Sequence, residues 1–356
     1  MKQIQIPTQI IDRANCCANI AWMQEKARRS GAVLRPHFKT HQSVEVGRWF
    51  RDEGVDRIAV SSVSMARQFA DDGWKDIMIA FPLNIREMEA INQLAAEVNL
   101  GLLVSSPGVT SLLKKQLKHP AGIYFKVDVG THRTGFDPED ISTLEIELDP
   151  FRGDSLMQFR GFVSHAGHTY QAVSKGQILR IYQEGTAILK SLKERFLPAF
   201  PGLHISWGDT PTCALVEAFD GLDEIRPGNF VFFDLMQWQL GACTFDQIGM
   251  VVAAPVVALH PARREVVVYA GAVHLSKEQL TLAEGNKCFG MMVSLDEKGK
   301  WQLPGQMIYV DRVSQEHGIL KLPQTFQDDI RIGQLLGIIP VHSCLAADLL
   351  PQRLIV

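Results

Sequence analysis

The chain has 356 residues, 46% of them hydrophobic and 21% charged, with 28 Gly and 17 Pro. That mix supplies ample apolar material for a buried core and excludes intrinsic disorder and fibrous repeats, and at roughly 150 residues per domain the length suggests two domains. Thirty-six Lys and Arg against 39 Asp and Glu give a formal charge of -3, so no basic surplus points to nucleic acid or an anionic membrane as a partner.

The opening residues, MKQIQIPTQI, contain no apolar signal core. The apolar stretch Ile248 to Leu259 falls well short of the roughly 20 residues a spanning helix needs. A soluble, cytoplasmic protein is expected. The six cysteines, spread over so long a chain, do not form a disulfide framework and read as reduced, mostly buried thiols.

A helix is expected from about Asp12 to Arg29. From there to about residue 235, short β-rich runs alternate with helical patterns. The runs are AVLRPHF, RIAVSS, DIMIAFP, NLGLLVSS, GIYFKVDV, RGFVSHA, LHISWG and DEIRPG. Ile85, Met88, Ile91, Leu94, Ala95 and Val98 recur at helical spacing between two of them. Eight strands with intervening helices predict an α/β fold built as a (β/α)8 TIM-like barrel, with an open doubly wound sheet as the rival. Beyond about Phe233 the helical texture stops. GMVVAAPVVALH, REVVVYAGAV, CFGMMVSLD, QMIYVDRVS and LLGIIPVHS predict a second, smaller, mostly antiparallel β domain. The expected division is a barrel over residues 1–235 and a β domain over 236–356, with the first ~25 residues able to pack on either.

Barrel enzymes place function at the C-terminal ends of their strands, and these ends carry the chemistry. The first ends in RPHFKTH, where Lys39 follows apolar residues. Desolvation in a barrel mouth depresses an ammonium pKa, as a Schiff-base lysine requires; a plain surface lysine is the alternative. The fifth ends in KVDVGTHRTG, where Arg133 is able to reach an anionic oxygen or to pair with Asp128. The sixth ends in SHAGHTY, where His165 and Tyr170 suit a planar ligand or a satisfied core. The seventh ends in SWGDTPT. Gly208, Asp209 and Thr210, ahead of a helix, make a candidate phosphate cradle. Asp209 is out of place beside a phosphate and is expected to turn away or to receive hydrogen bonds. In the β domain, His342 and Cys344 stand two apart, which on a strand places both side chains on one side. Imidazole and thiolate together suit Zn2+ or another divalent metal, although His-x-Cys by itself is a weak pattern.

Taken in order, RPHFKTH, VDVGTHRTG, HAGHTY, GDTPT, EIRPGNFVFFD, SQEHG and HSC resemble the zinc-dependent D-serine dehydratase and D-threonine aldolase family. These are pyridoxal 5'-phosphate (PLP) enzymes related to alanine racemase, and the likeness spans nearly the whole chain. The resemblance implies a homodimer acting on a small-molecule β-hydroxy D-amino acid. It implies that Lys39 carries the cofactor and is the catalytic base. Arg133 would meet its phenolic oxygen, Tyr170 its ring nitrogen and His165 its ring face. Gly208, Asp209 and Thr210 would hold the phosphate, and His342 and Cys344 the metal. The cysteine two after the histidine looks like the dehydratase branch. Dehydration to a 2-oxo acid and ammonia is therefore expected, with aldolase-like cleavage to glycine and an aldehyde, or a non-catalytic PLP-binding role, as alternatives. Racemisation ranks lower, since it needs a second base on the opposite ring face and the β domain offers no obvious tyrosine for it apart from Tyr269 and Tyr309. Val341, Gln334, His274 and Phe233 depart from what this family commonly carries at those places.

Overall fold

A computed structural model describes residues 1, 3–282, 284–326 and 329–356. The chain divides into two compact units, Ile20–Gly228 and Met1–Asn19 with Asn229–Val356. The first strand, β1 (Thr8–Ile11), belongs to the second of these, and the helix Arg13–Arg29 that follows it contains the first boundary.

The Ile20–Gly228 unit is the expected barrel. Its strands are β2 (Val33–Leu34), β3 (Arg57–Val60), β4 (Asp76–Pro82), β5 (Asn99–Val104), β6 (Ala121–Lys126), β7 (Met157–His165), β8 (His204–Gly208) and β9 (Glu224–Ile225). All pair in parallel in the order β2-β9-β8-β7-β6-β5-β4-β3. A parallel bridge between His37 and Ala59 joins the two ends of that sheet, which favours the closed barrel over the open sheet. A helix follows each strand from β2 to β8, the last being Thr210–Leu215. Several start where a short polar side chain replaces a missing backbone partner. The Ser43, Ser62 and Ser174 hydroxyls accept the N–H groups of Val46, Met65 and Gln177. The Ile85–Val98 pattern resolves into a 3-10 turn, Ile85–Glu87, and a helix, Met88–Ala95, whose buried face carries Met88, Ile91 and Leu94.

Two kinds of packing fill the barrel. Ala59, Met78, Leu103, Tyr124 and Val163, from β3 to β7, form an apolar cluster. Near β2 and β9 the interior is ionic. Arg35 donates from Nε to Glu224 at 2.6 Å and from Nη1 to Asp76 at 2.6 Å. Glu224 in turn accepts the Ser206 hydroxyl at 2.7 Å, and Arg226 donates to Ser206 Oγ and, at 2.6 Å, to the Ser164 carbonyl. Gly161 in β7 has φ 144°, and a Cβ there would lie 1.8 Å from the His204 carbonyl oxygen. Only glycine lets β7 pair closely with β8 at that point.

The second unit is built on a sheet of nine strands among the described residues. The central strand β10 (Met250–His260) pairs antiparallel with β1, with Leu335–Pro340, and past a bulge between Val256 and Ala258 with β11 (Glu265–Tyr269). The sole parallel pairing in this sheet, among the described residues, joins β1 to Arg353–Ile355. Two expected strand segments end early. The stretch after Tyr269 turns into a short helix, Ala272–Leu275, and Val341-His342 leaves the sheet for a helix, Ser343–Leu349.

Candidate active site

Within the barrel unit the predicted residues gather at the strand ends. Lys39 is exposed in a 3-10 turn, Phe38–Thr40, whose other two residues are buried; the turn is capped by His37, whose Nδ1 accepts the Lys39 N–H at 3.3 Å. The turn is held from below by Gly228. A Cβ at Gly228 would come within 2.6 Å of the His37 carbonyl oxygen and 3.0 Å of Thr40 Oγ1. Proline at 227 ends β9 there, and its carbonyl accepts the His37 N–H.

His165 closes β7, its ring 6.5 Å from that of Tyr170. Burial holds the His165 imidazole well below its ordinary pKa, reinforced by Lys39, Arg133, Arg226 and Lys126. Four cationic side chains thus act on one neutral ring. His37 is lowered in the same way, by burial first and then by Lys39 and His165. Arg133 lies on an exposed loop after β6. Lys126, at the end of β6, donates to Thr134 Oγ1 at 2.5 Å, and burial with the nearby Arg133 brings its pKa to about 8. Arg226 is buried, which lowers its pKa to about 10 despite Glu224.

At the end of β8 the GDTPT segment bends into the helix Thr210–Leu215. Asp209 does turn inward. Its Oδ1 accepts the Thr212 N–H at 2.7 Å and the Thr169 hydroxyl at 3.2 Å, while Oδ2 accepts the Thr212 hydroxyl at 2.7 Å. Its carboxyl is thus an N-cap, and burial raises its pKa to about 6 against those bonds. The Tyr170 hydroxyl accepts the Thr210 N–H at 3.3 Å, so it stands at the mouth of this cradle. Thr210 Oγ1 is buried and lacks a hydrogen-bond partner among the described residues. A buried hydroxyl left unsatisfied is costly, and an anionic oxygen would satisfy it. The converging cations and this orphaned hydroxyl fit a phosphorylated, anionic cofactor.

His342 and Cys344 belong to the other unit. They do not lie on one strand, as their spacing suggested. His342 is the N-cap residue of the helix Ser343–Leu349 and Cys344 stands in its first turn. The bend brings them together all the same, with the imidazole in hydrogen-bonding reach of the thiol. Burial depresses the imidazolium, yet Cys344 and Asp234 outweigh it and raise the pKa. Asn229 Oδ1, beside this turn, is buried and lacks a partner among the described residues. One nitrogen and one sulfur donor, both soft to intermediate, fit zinc, although the described residues hold no group of three ligating side chains. Arg226, Lys126, Asn229 and Asp234 were not singled out from sequence. Arg226 and Lys126 were open to detection by the strand-end rule, while nothing local distinguished Asn229 or Asp234.

A barrel of this topology in a chain that also carries an antiparallel β domain defines the alanine racemase type of architecture. The family model "Alanine racemase, N-terminal domain" matches residues 11–235, and the "Putative serine dehydratase domain" matches residues 249–356. The D-serine dehydratase of Dictyostelium discoideum is 30% identical over 363 residues, covering 94% of this chain and 88% of that protein. The D-threo-3-hydroxyaspartate dehydratase of Delftia sp. (strain HT23) is 28% identical over 351 residues, covering 96% of this chain and 91% of that protein. Its solved structure matches with a TM-score of 0.88 at 27% identity, covering 99% of this chain and 95% of that one. The D-threonine aldolase of Arthrobacter is more distant, 22% identical over 351 residues, covering 96% of this chain and 86% of that protein. The chain belongs to the alanine racemase-like, fold-type III family that contains these D-serine and D-3-hydroxyaspartate dehydratases.

Proposed function

We propose that this protein is a PLP-dependent lyase that removes water from a β-hydroxy D-amino acid, giving a 2-oxo acid and ammonia. The observation that carries this reading is the strand-end cluster itself: Lys39, Lys126, Arg133 and Arg226 all act on His165, beside a buried hydroxyl at Thr210 that lacks a partner among the described residues. The kinship with two dehydratases over almost the whole chain supports the reaction class.

Bound here, PLP supplies an electron sink for negative charge developing at the substrate Cα. Lys39 holds the cofactor and, when free, takes the Cα proton at Nζ. A neutral His165 packs on the cofactor ring face without competing for that proton. Arg133 holds the phenolic oxygen and Tyr170 the ring nitrogen. The backbone of Gly208, Asp209 and Thr210, with the Thr210 hydroxyl, holds the phosphate. Asp209 acts through its cap, shaping the cradle rather than touching the anion. His342 and Cys344 would hold a divalent metal, zinc by donor chemistry, which would supply Lewis-acid chemistry when bound. The protein acts as a cytoplasmic homodimer.

Purified protein is incubated with D-serine, D-threonine and D-threo-3-hydroxyaspartate, and 2-oxo acid, ammonia and aldehyde are each assayed. Oxo acid and ammonia in equal amounts are expected from at least one substrate. Glycine with an aldehyde would replace this reading by aldol cleavage. PLP binding without either product would leave a non-catalytic PLP protein.

A further inference from the structure

The turn that carries His342 and Cys344 is gripped by two buried side chains from a distant part of the sequence. Asp234 is wholly buried. Its Oδ1 caps the helix Leu235–Gln239 by accepting the Gln237 N–H at 2.9 Å. Its other oxygen faces the turn. Oδ2 accepts Asn229 Nδ2 at 2.6 Å, the Ser343 N–H at 2.9 Å and the Ser343 hydroxyl at 3.3 Å, and lies 3.4 Å from His342 Nδ1. Asn229 Nδ2 also reaches Ser343 Oγ at 2.9 Å and Cys344 Sγ at 3.6 Å. Just before Asp234, Phe233 is held at φ 50°, a left-handed conformation that a bulky residue adopts only when its surroundings impose it.

We infer that Asp234 is a positioning residue for the metal site: it selects the His342 tautomer in which Nε2 carries the lone pair that ligates, while Asn229 steadies the Cys344 sulfur. This rests on the metal assignment proposed above. Asp234 Oδ2 accepts from Asn229 and from both Ser343 donors and so turns only lone pairs toward its neighbours; the imidazole nitrogen that faces it therefore carries a proton. The opposite nitrogen then keeps its lone pair for an ion, as in other histidine ligands oriented by a carboxylate. Asn229 donates toward the sulfur and so holds it in place beside the imidazole.

The near-isosteric change Asp234→Asn tests this. If the amide carbonyl stays on the Gln237 N–H that caps the helix, the amide nitrogen takes the place of Oδ2 and its N–H faces the imidazole. Nδ1 must then accept, the proton moves to Nε2, and ligation is blocked. Full-length, PLP-loaded wild type, D234N and S343A are titrated with Zn2+ and Co2+ against a chromophoric chelator, with circular dichroism as the check on folding. D234N should bind about 10–100-fold more weakly and lose the thiolate-to-cobalt absorption, the range seen when groups behind a metal ligand are removed. S343A shares the same turn but leaves the carboxylate in place, and should match wild type. Equal affinity and spectra for D234N and wild type would overturn the role of Asp234 alone. A wild type that takes up neither ion would overturn the metal assignment and this inference with it. A crystal structure of zinc-loaded wild type gives a second test that no folding defect can confuse: Nε2 ligation is expected, and Nδ1 ligation contradicts the inference.

Discussion

Asp209 offers a perturbation whose size can be worked out from its surroundings. It caps the helix Thr210–Leu215 and collects three hydrogen bonds, two at 2.7 Å and one at 3.2 Å, yet burial outweighs them and lifts its pKa from 3.8 to about 6. A shift of about two units at ~1.4 kcal/mol per unit corresponds to about 3 kcal/mol. The folded state holds this proton more tightly than the unfolded chain does. The stabilisation is therefore fully present below the unfolded pKa, near pH 4, and is lost as pH rises through about 6. Asp209→Asn removes the titration but keeps a carbonyl for the Thr212 N–H. In cofactor-free protein, the stability of wild type minus that of D209N should fall by about 2 kcal/mol between about pH 4.5 and about pH 7. Urea unfolding at each pH, followed by tryptophan fluorescence, reads this difference. A difference that stays flat or grows with pH would show that the capping bonds, not burial, govern Asp209, and the description of the cradle would have to change.

Three further outcomes follow from the geometry. Glu224→Ala leaves the buried Arg35 and Arg226 guanidinium groups without their shared carboxylate and should cost about 3–5 kcal/mol in chemical unfolding; a loss under about 1 kcal/mol would deny that the barrel interior depends on this pair. Gly228→Ala drives a Cβ to 2.6 Å from the His37 carbonyl, so it should cost about 1–3 kcal/mol by overpacking and weaken PLP binding by displacing the Lys39 turn. Unaltered PLP affinity would show that the turn does not depend on Gly228. Chelator treatment should stop product formation while PLP stays bound, and full turnover in metal-free protein would remove His342 and Cys344 from the reaction.

The barrel was legible because its strands β3 to β8 carry buried apolar residues and most run into polar ones, and because helical spacing is clear between them. β1 was not, since Thr8–Ile11 becomes a strand only through pairing with Met250–Ala253, some 240 residues away in sequence. A separation of 189 residues likewise hides the pairing of Arg35 with Glu224, so that Arg35 looks locally like a charge unrelated to Glu224 and Arg226. The His342 junction was read as strand because Val341 continues the apolar run of Leu335–Pro340, and no residue there announces a helix. Strand-end position was enough to single out Lys39, His165 and the Asp209 turn as candidates, and the structure places them after β2, at the end of β7 and after β8. It gave no hint that Asp234 and Asn229 converge on Ser343.

The central claim is that the cofactor is carried by Lys39. Reduction of the PLP-loaded protein with borohydride, followed by peptide mass spectrometry, fixes the cofactor on the residue that bears it. A phosphopyridoxyl mass on the peptide containing Lys39 is the predicted result. The same mass on Lys126, the buried lysine that ends β6, or on no lysine at all, would contradict it.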